Sequence, residues 1–291
     1  MEREIVKVLE YFARFSYPPS LEELFMFFPL KTTLKILGPR LKKMEKKGTI
    51  IVKKIENNNK YTIPPYSIHF NKSIVRTACS SNKLKKISPY VKSLSMFPQI
   101  KLVGLSGSLA MNNAKGDDDL DLFIITDKRR LWTGRFIALG LAQVMGIRRP
   151  RGVRQAKDKV CLNLFFDEGE LRIPKAKQTN FVAHELLQMK PLVAKDGIYK
   201  KLLKANSWVF DIFPNSFDIV RYRKKFQISN FKFQIKKKRI SLPGVRQVGD
   251  LVEKILGMVQ KIYIRRHQTT ELITQKQLWF FPEDFEKRLK G

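Results

Sequence analysis

Cysteine and histidine are scarce in this chain, which has two cysteines (Cys79 and Cys161) and three histidines in 291 residues. With no Cys-x-x-Cys pair and no Cys/His cluster, the sequence supports neither a disulfide framework nor a structural zinc site, and a reducing cytoplasmic setting fits. Acidic side chains are scarce as well: 26 against 57 basic ones, for a net charge of +31. Residues 64–102 carry seven basic and no acidic residues. An imbalance of this size favours a polyanionic partner, nucleic acid before membrane. Long apolar runs are also missing. The Met-Glu-Arg-Glu start carries no signal-peptide core. The most apolar helical stretch, residues 136–147, falls far short of the ~20 residues that span a bilayer, so it reads as a buried helix and no membrane partner is expected. Hydrophobic residues make up 43% of the chain, enough for two or three globular domains at this length. Oligomeric state is not legible.

Apolar residues at 5, 6, 8, 9 and 12 predict a helix over residues 2–15, ended by Tyr17-Pro18-Pro19. Ser20 and Glu23 form a capping-box pattern that starts a second helix through residue 28. A third helical run follows Lys31, with Leu34, Leu41 and Met44 on one face and Arg40, Lys42, Lys43, Lys46 and Lys47 around it. Pro39 should kink or restart that run, and Gly48 ends it. Residues 49–54 and 61–63 read as a hairpin with a polar tip at 56–60, and Pro64-Pro65 marks a linker. Residues 83–95 predict a basic amphipathic helix closed by Pro98. From residue 100 the pattern is α/β: strands at 100–105, 120–126 and 160–166, a short helix from Gly107 to about residue 112, a helix at 129–146 and a basic loop at 148–154. The remainder reads as mainly helical, at 176–189, 197–213 and 245–266.

The most informative segment opens with Gly107-Ser108 and continues, ten residues later, with Asp119-Leu120-Asp121-Leu122 at the start of an apolar strand. Strand parity puts Asp119 and Asp121 on one face, about 7 Å apart along the backbone. Two carboxylates entering an apolar strand repel each other and are costly to desolvate unless a cation lies between them, so a divalent-metal site is the leading reading. A calcium loop needs acidic ligands at alternating positions and a distal glutamate, which are absent. Asp117 and Asp118 read as a solvated turn with no assigned role.

Strand, Gly-Ser, helix and Asp-x-Asp strand together resemble the nucleotidyltransferase superfamily that shares the DNA polymerase β fold. The three helices and basic hairpin of residues 1–65 resemble a winged helix-turn-helix domain in pattern. These resemblances imply an α+β chain: a winged helix-turn-helix at 1–65, a basic helical linker at 66–98, a nucleotidyltransferase α/β core with a short mixed sheet at 99–175, and a mainly helical basic region at 176–291. They imply a transferase that binds ATP or another nucleoside triphosphate and moves a nucleoside monophosphate to an acceptor hydroxyl, releasing pyrophosphate. Asp119 and Asp121 would be catalytic and would ligate one or two Mg2+ ions. Gly107 and Ser108 would bind the nucleotide phosphates through backbone amides and a hydroxyl. The winged pattern and the net charge point to nucleic acid as partner and acceptor.

That superfamily places a third carboxylate on a later strand. Here the slot holds Asn163, which cannot accept a proton. Parity puts Cys161, Asn163, Phe165 and Asp167 on one face, so Asp167 is one substitute and Asp158, ahead of the strand, another. The alternative is therefore a degenerate fold that only binds nucleic acid and nucleotide as a regulator. Arg129, Arg130, Arg148, Arg149, Arg151 and Arg154 are candidate phosphate or nucleic-acid contacts, with ordinary solvated side chains as the competing reading. His184-Glu185 lacks a second zincin-type histidine and reads as a capping or core-edge histidine. Trp132, Trp208 and Trp279 read as core. A membrane-surface role needs an amphipathic helix with a broad apolar face; residues 245–263 are the candidate, and a packed C-terminal helix explains them better.

Overall fold

A computed structural model describes residues 1–150, 152–153, 156–223, 245–266 and 271–280. The N-terminal helices are α1 (Glu2–Arg14), α2 (Leu21–Met26) and α3 (Leu34–Lys46). In α1 the periodic residues Ile5, Val8, Leu9 and Phe12 are buried. The capping box forms: Glu23 N–H donates to Ser20 Oγ at 3.2 Å, and Ser20 N–H donates to a Glu23 carboxylate oxygen at 2.7 Å. Pro39 lies inside α3, which continues through it as one helix. Strands β1 (Ile51–Ile55) and β2 (Asn58–Thr62) pair from Ile51↔Thr62 to Ile55↔Asn58. The hairpin tip is therefore only Glu56-Asn57, shorter than expected, with Glu56 at φ +53 completing the turn.

Helix α4 (His69–Ser95) leads into β3 (Ile100–Leu105), the short α5 (Gly107–Ala110), β4 (Leu120–Thr126), α6 (Leu131–Val144) and β5 (Val160–Asp167). Then follow α7 (Asn180–Gln188), β6 (Lys190–Ala194), α8 (Ile198–Ala205), α9 (Trp208–Ile212), α10 (Ser216–Arg223), α11 (Val245–Arg265), β7 (Leu272–Ile273) and β8 (Gln277–Trp279). The larger sheet is mixed, in the order β6-β3-β4-β5-β8-β7, with β4 and β5 parallel. The region after residue 176 is thus less helical than expected, since it supplies three strands to that sheet. Residues 197–213 form two helices because buried Asn206 interrupts them. Its side chain accepts Ile173 N–H at 2.8 Å and donates to the Leu171 carbonyl at 2.7 Å.

Side-chain alternation along β4 explains the two layers of helix. Leu122 and Ile124 face a core with α4, α5 and α6, while Phe123 and Ile125 face a second core. That second core includes Phe12, Phe27, Leu37, Leu186 and Leu202, so the N-terminal helices and α7–α9 pack as one layer on this side of the sheet. Trp132 and Trp279 are buried and Trp208 packs at the core edge, as expected. No helix among the described residues is long and apolar enough to cross a membrane.

His184 joins the N-terminal helices to α7. Its ring stacks on Tyr11 and Phe27, at centroid distances of 4.1 and 4.2 Å, with Phe12 and Phe213 edge-on. Burial pushes its pKa down to about 3, so the imidazole is held neutral. Below its ordinary value of 6.5 the unfolded chain binds a proton that the folded chain refuses, so stability falls as pH falls. Denaturant unfolding at pH 7 and pH 5 should show wild type losing about 1.4 kcal/mol per pH unit below pH 6.5 relative to His184→Leu. Equal pH slopes for the two proteins would refute a neutral buried histidine.

Candidate metal and phosphate site

Asp119 immediately precedes β4 and Asp121 is its second residue, on the face shared with Phe123 and Ile125. The antiparallel β3–β4 pair, with Leu105 opposite Leu122, brings the turn after β3 onto this end of β4. Ser106 N–H donates to the Asp121 carbonyl at 3.1 Å. Gly107 then turns at φ +60 over the Asp121 side chain, and a Cβ there would lie 2.7 Å from a carboxylate oxygen. Only glycine fits both the positive φ and the approach.

The loop between the glycine turn and the aspartates is fixed by its own acids. Ser108 Oγ donates to Asp118 Oδ2 at 2.9 Å, and Lys115 N–H donates to the same oxygen at 2.8 Å. Asp118, without a role in the sequence, is therefore the loop's internal cap. Lys83 of α4 is only 2% exposed. Its ammonium donates to the carbonyls of Gly116 (3.1 Å) and Asp118 (2.6 Å) and to Asp158 Oδ1 (2.8 Å).

From β5, Cys161 stands opposite Asp121, and the strand bulges between the pairs Leu122↔Leu162 and Phe123↔Leu164. Asn163 is the extra residue, and its Nδ2 donates to Asp121 Oδ1 at 2.7 Å. The Cys161 thiol donates to Asn163 Oδ1 at 2.8 Å. Arg149 closes the group: its Nη1 donates to Asp119 Oδ2 at 2.5 Å and to Cys161 Sγ at 2.8 Å. On the α7 side, Glu185 Oε2 accepts the Gly107 N–H at 3.2 Å.

Electrostatics follow from this crowding. Burial, then Asp119 and Glu185, push the Asp121 carboxyl well above the usual carboxylate range, and Arg149 only partly opposes them. Burial also raises Glu185. The Cys161 thiol is driven up by burial and by both aspartates, so it stays protonated. Ligand atoms of Asp119, Asp121 and Cys161 all lie within 4.8 Å of one another. For Mg2+ the two carboxylates are suitable hard donors, whereas a protonated thiol is not, so the fit rests on Asp119 and Asp121.

The other residues singled out from sequence lie as follows. Asp167 does not share the Asp121 face, because the bulge at Asn163 reverses parity beyond it. The Asp167 carboxylate instead accepts the N–H groups of Arg129 (2.6 Å) and Gly169 (2.7 Å) at the far end of the sheet. Asp158 pairs with Lys83 and Lys86; partial burial opposes ionisation, but the two ammonium groups hold its carboxyl below the ordinary range. Arg129 and Arg130 follow the opposite end of β4, where Arg130 pairs with Asp250 at 2.6 Å. Arg148 is exposed, and Arg151 and Arg154 lie outside the described residues. A depression of about 700 Å3 lined by Lys101, Asp127, Lys128 and Lys195 is also at the far end.

Sequence reasoning missed Glu185, Lys83 and the Cys161 contact. The available signal for Glu185 was a single acid among the buried neighbours Val182, Ala183, Leu186 and Leu187. Comparison of the chain with protein-family models, curated proteins and solved structures finds no match.

Replacing Lys83 by Met should destabilise the fold by about 3–5 kcal/mol, because Asp158 and two loop carbonyls lose a buried partner. Denaturant titration checks this, and a loss under about 1 kcal/mol would show that Lys83 does not hold the loop.

Proposed function

We propose that this chain is a Mg2+-dependent nucleotidyltransferase of the DNA polymerase β fold, preceded by a winged helix-turn-helix, acting in the cytoplasm. It moves a nucleoside monophosphate from a nucleoside triphosphate to a hydroxyl on a nucleic acid. The observation that carries the reading is the closure of the Gly107 turn on Asp121, with Asp119 beside it: a glycine backbone open to close approach lies over one of two neighbouring carboxylates.

Asp119 and Asp121 would hold Mg2+, which supplies positive charge against the triphosphate and the developing transition-state charge. The acceptor oxygen bonds to the α-phosphorus, the α–β bridging P–O bond breaks, and pyrophosphate leaves. The acceptor proton needs a base, and Asn163 is not one. Glu185 is the carboxyl we assign to that role, because its Oε2 accepts the Gly107 N–H at 3.2 Å, in the turn that lies over Asp121. Arg149 offers a guanidinium at the phosphate position. Exposed Lys42, Lys43 and Lys46 on α3 and Lys53 and Lys54 on β1 suit a phosphate backbone.

A second reading has its own support. Asn163 in the third slot and Arg149 bonded to Asp119 are what a nucleotide-sensing, nucleic-acid-binding regulator without transfer activity would carry. Incubation with each labelled nucleoside triphosphate, Mg2+ and bulk RNA separates the two. Wild type should incorporate label, Asp119→Ala/Asp121→Ala should lose on the order of a thousandfold, and Glu185→Gln about a hundredfold with nucleotide binding retained. Nucleotide binding by wild type with no incorporation from any triphosphate would establish the regulator instead.

A further inference from the structure

Among the described residues, helix α11 touches the rest of the fold along one narrow seam. Gly249 meets Arg130, and Gly257 packs on Trp132, where a Cβ would come within 3.0 Å of the indole. Between them the Glu253 carboxylate accepts the N–H groups of Trp132 (2.8 Å) and Thr133 (2.9 Å), capping α6. Gln260 accepts from Arg135, and Ile264 is buried. The seam is thus built of glycine, polar side chains, the partly buried Leu256 and the buried Ile264, and most of the large aliphatic residues point the other way. Val248 (64% exposed), Leu251 (59%), Ile255 (47%), Met258 (60%), Val259 (60%) and Ile262 (57%) form a continuous stripe facing solvent. Their spacing keeps them on one side of the helix over about 21 Å. The helix expected at residues 245–263 does pack, against α6, but the broad apolar face noted in its sequence is not the face that packs.

Charge indicates what covers the stripe. Exposed Lys254 and Arg265 line one edge, and Lys261 between them lies over the Trp132 ring, whereas the two acids of α11 are turned away, Asp250 onto Arg130 and Glu253 onto α6. A second copy would bring the same basic edges together on two chains of net charge +31. A nucleic acid matches the charge but has no use for exposed alkyl side chains. An anionic lipid surface matches both, its headgroups facing the lysines and its acyl boundary receiving the stripe.

We infer that α11 is an interfacial anchor that lays the 248–262 stripe into the surface of an anionic bilayer without crossing it. The inference stands on α11 alone and is independent of the transfer chemistry. Flotation of the full chain with vesicles of phosphatidylcholine, or of phosphatidylcholine with phosphatidylglycerol, tests it. Wild type should float with the anionic vesicles about tenfold better than with the neutral ones, and added salt should weaken this. Leu251→Gln/Ile255→Gln/Met258→Gln, at solvent-facing positions that leave the fold intact by circular dichroism, should reduce flotation about tenfold or more. Lys254→Glu/Arg265→Glu should lower it on anionic vesicles alone. Flotation unchanged in the triple variant would overturn the proposal, since bulk charge would then suffice. A wild type that ignores vesicles but sediments as a dimer, split by the same triple substitution, would overturn it in favour of a second copy.

Discussion

Like charge at close quarters is the constraint around which this end of the molecule is organised. Asp119 and Asp121 enter β4 together, and Glu185 approaches from α7. Arg149 supplies positive charge on one side only, so Asp121 is left holding its proton above the ordinary carboxylate range. A folded protein tolerates such a group when something else uses it. Around it, the left-handed Gly107, the Asp118 cap and the buried Lys83 all serve to hold one loop against one strand end.

The same helix that brings Glu185 to the aspartates anchors the N-terminal helices. His184 is the next residue, clamped between Tyr11 and Phe27. The packing of α1 and α2 on His184 and the Glu185 contact with Gly107 therefore lie on one turn of α7. Two adjacent residues of α7 thus have opposite surroundings: His184 is neutral in an aromatic core, and Glu185 is an acid at the edge of that core, against Gly107.

Much of this was legible locally. Alternation gave the strands β3, β4 and β5, and the Ser20–Glu23 box marked α2. The glycine before the aspartates reads in sequence as room for a phosphate, and the structure adds a second reason for it, the close approach to the Asp121 side chain. What was hidden depends on contacts between distant segments. The face of Asp167 was misread because the bulge at Asn163 arises from pairing with β4, not from the β5 sequence. Glu185 carried only the weak signal of an acid among apolar neighbours because its contact comes from α7 docking beside the Gly107 turn, and Lys83 was missed because its partners, two loop carbonyls and Asp158, lie 33 to 75 residues away. The apolar stripe of α11 was seen, but periodicity alone does not say which face of a helix meets the core. The two glycines that settle it, Gly249 and Gly257, gain meaning only against Arg130 and Trp132.

The central proposal is that Asp121 is a cation ligand whose ionised form the surrounding fold opposes. Thermal unfolding of wild type and Asp121→Asn at pH 8, with and without Mg2+, tests it most directly. Without metal, Asp121→Asn should be the more stable protein, because an amide removes a buried carboxyl whose ionisation the fold opposes. With Mg2+, wild type alone should gain stability, by about 1.4 kcal/mol for each tenfold excess over the dissociation constant. A less stable Asp121→Asn that responds to Mg2+ as wild type does would contradict the account.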